Sequence, residues 1–233
     1  MPLGYVERLA QTLPRVRDGI AAAAHTAGRD PADVRLIAVT KSHPVAAVQA
    51  ALALGLKDLG ENRLDELAAK QGAVGRDAAR WHMIGHVQSR KAKDAAALAD
   101  CVHSVDSIRL AERLGRAAVE AGKTLAVLVQ VNTSGEVSKE GLDVGAAEEA
   151  IHRIAELPGL IVAGLMTMAP FTDDERVLTS AFGGLRELRD RARARSDRIG
   201  AELSMGMTND LAVAVREGST MVRIGTALFG ERP

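Results

Sequence analysis

Lys41 is the residue whose neighbours best equip it for chemistry. It ends the apolar run Leu36-Ile37-Ala38-Val39-Thr40 and is followed by Ser42, His43 and Pro44. Such a run reads as a strand buried on both faces, with Pro44 suited to the first turn of a helix. In dry surroundings a lysine at a strand tip loses its proton, and the neutral amine becomes a nucleophile able to form a Schiff base. By itself, Lys41 also reads as a side chain snorkelling out of the strand end. Two later stretches shift that balance. Arg223-Ile224-Gly225-Thr226 closes another short apolar run, and Ser204-Met205-Gly206-Met207-Thr208 closes the run before it. Gly225 lets a backbone N–H approach an anion closely, Thr226 adds a hydroxyl, and a helix start adds positive potential.

These residues need elements to position them, and the chain supplies one unit repeatedly: a short buried strand, a polar or glycine turn, a helix. Strands are expected at Leu36 to Thr40, Asp58 to Gly60, Trp81 to Gly85, Val102 to Val105, Ala126 to Val131, Ile161 to Met166, Leu203 to Met205 and Met221 to Ile224. Between them, helices are expected from Pro44 to Leu54, through Ala69, from near Gln88, behind Asp106 as N-cap, over Val144 to Glu156, over about 173 to 199, and behind Thr208 as N-cap. Val6, Leu9, Leu13, Val16 and Ile20 mark a leading amphipathic helix that docks on the same body. Strict strand–helix alternation implies a parallel sheet with right-handed crossovers. Eight such units in 233 residues match a single (β/α)8 TIM barrel over 1–233, with an extra N-terminal helix. A doubly wound open sheet is the alternative, but its G-x-G-x-x-G turn is missing after the first strand.

Composition excludes several function classes. Thirty basic residues balance thirty acidic ones, so no charge excess points to nucleic acid or an anionic membrane. The single cysteine, Cys101, leaves no intramolecular disulfide and suits a reducing compartment. No signal-peptide core and no membrane-length apolar run occur, so a cytoplasmic protein is expected. Nucleophile-elbow, phosphate-loop and H-E-x-x-H motifs are missing. His82 and His86 sit four apart, but at a strand end rather than on a helix, which disfavours a zinc pair. His103 looks isolated.

In a barrel of this kind the active site lies at the C-terminal strand ends, and phosphate sites recur after the last two strands. Lys41, Glu61, Asn62, Gly85, Asn132, Thr167, Ser204, Arg223, Gly225 and Thr226 all fall on that rim. An anion cradle after the last two strands, facing a lysine on the first, suggests a phosphorylated aldehyde. Pyridoxal 5′-phosphate is one, and it requires a partner for its ring nitrogen.

With these residues assembled, the chain resembles the pyridoxal 5′-phosphate homeostasis proteins. The resemblance runs through Ala38-Val39-Thr40-Lys41, Gly60-Glu61-Asn62, Trp81-His82-Met83-Ile84-Gly85, His103-Ser104-Val105-Asp106, Lys139-Glu140-Gly141-Leu142, Gly164-Leu165-Met166, Leu203-Ser204-Met205-Gly206-Met207 and Val222-Arg223-Ile224-Gly225-Thr226. It implies a barrel similar to the N-terminal domain of alanine racemase, with the cofactor on Lys41. It also implies Ser204, Gly225 and Thr226 at the phosphate, Arg223 at the pyridine nitrogen and Asn62 near the ring. Departures are His43, where some members carry a second lysine, and Arg90, where asparagine is common.

Two functions follow from that resemblance. One is a monomeric, non-catalytic carrier that delivers cofactor to apo-enzymes. The other is a fold type III amino-acid racemase, which needs a second acid/base group opposite the lysine. The sole tyrosine, Tyr5, lies in the leading helix, far in sequence from the strand tips, so the carrier is the expected function. A Schiff-base aldolase would share the barrel and phosphate site but leaves Arg223 unexplained. Lys139, in the polar loop after the fifth strand, could reach an anion over the mouth.

Overall fold

The computed structural model describes residues 4–136 and 140–232. Every strand pairing in it is parallel. The strands are β1 (Arg35–Val39), β2 (Asp58–Glu61), β3 (Arg80–Met83), β4 (Cys101–Val105), β5 (Leu125–Asn132), the two-residue β6 (Leu142–Asp143), β7 (Leu160–Met166), β8 (Ile199–Ser204) and β9 (Met221–Ile224). Their order is β4-β3-β2-β1-β9-β8-β7-β5, and β4 also pairs with β5, which closes the barrel. β6 adds to the outer end of β5 and takes no place in the ring. Helices α1 (Tyr5–Thr26), α2 (Val45–Ala53), α3 (Leu64–Val74), α4 (Ala92–Leu98), α5 (Ile108–Glu120), α6 (Val144–Ala155), α7 (Glu175–Arg195), α8 (Leu211–Arg216) and α9 (Thr226–Phe229) complete the order.

Pleat alternation sorts the strand residues into two cores. Leu36 and Ala38, Val102, Val127 and Val129, and Val222 and Ile224 pack outward beneath the helices. Ile37, Cys101, Leu128, Met166 and Met221 form a separate cluster on the other face, filling the barrel. Burying these aliphatics supplies most of the driving force. Trp81 is fully buried on the outer side, and its indole N–H donates to the Arg76 carbonyl at 3.0 Å. Leu9, Leu13, Val16 and Ile20 form the buried stripe of α1, which packs on α8, α9 and α2. Val6 falls outside that stripe and is exposed.

Several boundaries differ from the sequence expectation for local reasons. Ser107, not Asp106, caps α5, its hydroxyl accepting from the Leu110 N–H. Asp210, not Thr208, occupies the N-cap place of α8 and accepts from the Met207 N–H. α7 stops at Arg195 because Ser196 turns extended, and Ile199 is already paired with Val162 in β8. Among the described residues, no helix is long and apolar enough to cross a membrane.

Candidate functional site

β1 and β9 run side by side, with Ala38 opposite Ile224. Their exits therefore fall together, and a Cβ built on Gly225 would lie 3.2 Å from the Val39 carbonyl. Lys41 leaves β1 two residues later, half-buried. Burial lowers its pKa from the ordinary lysine value, and Arg232 and Arg223 lower it further against the opposing pull of Glu61 and Glu66. The amine on the first strand and the arginine on the last thus lie within electrostatic reach of each other. Gly225 and Thr226 begin α9, where the first amides of a helix have no partner within it.

The turn that presents Lys41 is held from below. Lys70, on α3, donates to the Thr40 carbonyl at 2.7 Å and to Glu61 Oε1 at 2.7 Å, and the Thr40 hydroxyl donates to the same oxygen. Burial pushes the Glu61 carboxyl above its usual value despite those bonds. Ser42 adopts φ +61, a left-handed conformation, and its N–H donates to Glu66 Oε2 at 2.7 Å. This cluster was not legible in the sequence, where Glu61 read as a rim residue and Lys70 drew no reading.

Asn62 leaves β2 half-buried beside Gly85. A Cβ at Gly85 would stand 2.3 Å from the Asn62 carbonyl oxygen, so only glycine lets the two backbones meet. Gly206 has φ +100, and a Cβ there would meet the Ala214 side chain at 2.6 Å. Arg223 points inward from β9, buried. Its Nη1 donates to the Ser204 carbonyl and hydroxyl, each at 2.7 Å, and its Nη2 donates to the Thr167 carbonyl at 3.0 Å. Burial lowers its pKa to about 10, leaving it cationic at neutral pH.

Ser204 stands where β8 ends, as expected, but its hydroxyl is fully buried between Arg223 and His103 Nδ1, the latter at 2.9 Å. The hydroxyl expected at an anion is engaged by Arg223 and His103. His103 is not isolated: it meets His82 inside the barrel at 2.8 Å. His86 parts from His82 and faces Asp106 and Glu140. Asn132 folds onto its own loop, accepting from the Ser134 N–H and donating to the Glu136 carbonyl. Lys139 lies outside the described residues.

Tyr5 is remote in sequence yet not in space. Its hydroxyl lies 3.0 Å from His43 Nδ1, two residues past Lys41, and both rings pack on Phe229. The Thr12 hydroxyl donates to the Leu228 carbonyl, tying α1 to α9 beside the same rim.

The closed barrel and its rim belong to the class built on the alanine racemase N-terminal domain, whose family matches residues 13–233. An alanine racemase of Clostridium difficile shares the fold at 14% identity and a TM-score of 0.74, over 93% of this chain and 60% of its own. A pyridoxal phosphate homeostasis protein of Pseudomonas aeruginosa is 43% identical, covering 97% of this chain and 95% of its own length. PipY of Synechococcus elongatus, solved with PLP bound, is 36% identical with a TM-score of 0.80, over 91% of this chain and all of its own. The chain belongs to the pyridoxal phosphate homeostasis protein family.

Proposed function

We propose that this protein binds pyridoxal 5′-phosphate as a Schiff base on Lys41, holding the reactive aldehyde for cytoplasmic cofactor homeostasis and delivering it to apo-enzymes. The observation that carries the reading is the pairing of a half-buried, pKa-depressed Lys41 with the inward guanidinium of Arg223 at one barrel end. The donor set fits the group. An amine suits the aldehyde, an arginine N–H suits an unprotonated ring nitrogen, and the amides and hydroxyl at Gly225 and Thr226 suit a phosphate. Ser204, whose hydroxyl accepts from Arg223, would help hold the phosphate, and Asn62 would lie near the ring. When bound, the cofactor supplies an electron sink, and a cationic arginine at the nitrogen weakens that sink by disfavouring ring protonation.

An arginine at that position suits a carrier and a racemase alike, so the second acid/base group separates the two. The Tyr5 hydroxyl lies in hydrogen-bonding distance of His43 rather than free over the mouth, so the second acid/base group of a racemase lacks an obvious source among the described residues. The reading takes residues 1–233 as one domain acting as a monomer, without nucleic acid or membrane partners.

Purified protein mixed with the cofactor should turn yellow, and borohydride followed by peptide mapping should place the label on Lys41. Lys41→Ala should lose the label while keeping its circular dichroism. Unchanged labelling in that variant would remove Lys41 from the assignment. Conversion of L-alanine to D-alanine at rates typical of enzymes would replace the carrier with a racemase.

A further inference from the structure

The barrel interior carries a continuous line of hydrogen bonds from one mouth towards the other. At the N-terminal mouth, Asp58 Oδ1 lies 2.9 Å from His82 Nε2. His82 Nδ1 lies 2.8 Å from His103 Nε2, the two rings set edge to face. His103 Nδ1 lies 2.9 Å from Ser204 Oγ, which accepts from Arg223 Nη1 at 2.7 Å. His82, His103 and Ser204 are fully buried.

With both imidazoles neutral, the ends of this line dictate its direction. A guanidinium only donates, so Ser204 Oγ accepts at that end, and an ionised carboxylate only accepts. Each of the three groups between then has one proton to give within the line, whereas a protonated His82 would reverse the bonds from His82 to His103 and from His103 to Ser204. One arrangement satisfies every contact: Arg223 donates to Ser204, Ser204 to His103 Nδ1, His103 Nε2–H to His82 Nδ1, and His82 Nε2–H to Asp58. It requires both imidazoles to be neutral, in the Nε2–H tautomer. Burial disfavours charge on both rings, as this demands. Burial also opposes ionisation of Asp58, but the His82 hydrogen bond and the nearby cations outweigh it, so the carboxyl stays below its usual value.

We propose that His82 and His103, anchored by Asp58, are positioning residues for Arg223: they orient the Ser204 hydroxyl as an acceptor and so fix the guanidinium that faces the cofactor's ring nitrogen. This rests on the reading of Arg223 at that nitrogen. Without the imidazole acceptor, the Ser204 hydroxyl is free to rotate and loses its preferred lone-pair direction towards Arg223. The charged groups facing the pair are Asp58 from β2, Arg35 from β1, Arg80 from β3 and Arg223 from β9. Cys101 of β4 stands beside them as a neutral thiol, its pKa pushed up to about 12 by burial.

Two measurements test this. In cofactor-free protein, nitrogen-15 NMR of the imidazoles should find His82 and His103 both neutral with the proton on Nε2, and added Zn²⁺ should leave those signals unmoved. A proton on Nδ1 of either ring, or a zinc-dependent shift of the pair, would overturn the chain whether or not the cofactor binds. In the second arm, His103→Leu should weaken pyridoxal phosphate retention about tenfold and alter the pH titration of the bound cofactor's absorption band. His103→Gln can accept from Ser204 and donate to His82, and should restore both. Equal retention and an unchanged titration in folded His103→Leu would refute the positioning role, and so would failure of His103→Gln to restore them. A wild-type protein that takes up no cofactor would instead defeat the functional reading and leave the tautomer result standing.

Discussion

Lys70→Met is the most informative perturbation of the scaffold beneath Lys41. The lysine and Glu61 have side chains 5% and 0% exposed and meet at 2.7 Å. Methionine keeps the apolar stem, so little cavity forms, but Glu61 is left without its cation and Thr40 loses a donor to its carbonyl. Removing one member of a buried ion pair costs about 3–5 kcal/mol. For a chain of this length, that corresponds to a fall in melting temperature of about 6–20 °C. The pH dependence gives a second signature. Glu61 already has a raised folded-state pKa from burial, and losing Lys70 raises it further. The folded state then binds more protons than the unfolded state between the unfolded value, about 4.3, and the folded one. Stability from this group is fully present below about pH 4.3 and is lost as pH rises through the folded pKa. The deficit against wild type should therefore widen from about pH 4 to about pH 7. Urea unfolding at both values measures it, and adding Glu61→Gln to Lys70→Met should recover part of the loss at neutral pH. A neutral-pH loss under about 1 kcal/mol, or a deficit independent of pH, would refute the pair as the support of the Lys41 turn.

Other outcomes are open to measurement. Gly85→Ala should push the Asn62 backbone away, because the new Cβ would meet its carbonyl at 2.3 Å; loss of cofactor retention exceeding any loss of stability would tie Asn62 to the ring. Trp81→Ala should destabilise by about 3–5 kcal/mol through cavity formation under the helices, read as a shifted urea midpoint. Arg223→Ala should reduce cofactor content on purification, whereas undiminished content would make Arg223 peripheral. Because burial and neighbouring arginines lower its pKa, Lys41 should titrate below the roughly 10.4 of free lysine, which carbon-13 methylation followed by NMR can read.

Strand–helix alternation and the apolar runs made the barrel legible, because a parallel sheet buried on both faces leaves a near-continuous hydrophobic signature. Boundaries slipped where a single side chain chose the cap, as Ser107 did over Asp106. At the rim, Lys41, Arg223, Gly225 and Thr226 could be placed from strand position alone, since every strand exit of a closed parallel barrel faces one way.

What the sequence could not carry was pairing across strands. His82 and His103 lie 21 positions apart, and only the β3–β4 register brings them together. The same holds for Thr40, Glu61 and Lys70: the first two read as a strand end and a rim acid, and only α3 folding over β1 and β2 brings Lys70 to them. Tyr5 reaches His43 because α1 docks along α9, not because of anything near it in the chain. Residue type and period determine which face is buried, whereas which polar groups meet inside that face depends on barrel closure, a long-range constraint that no local pattern encodes.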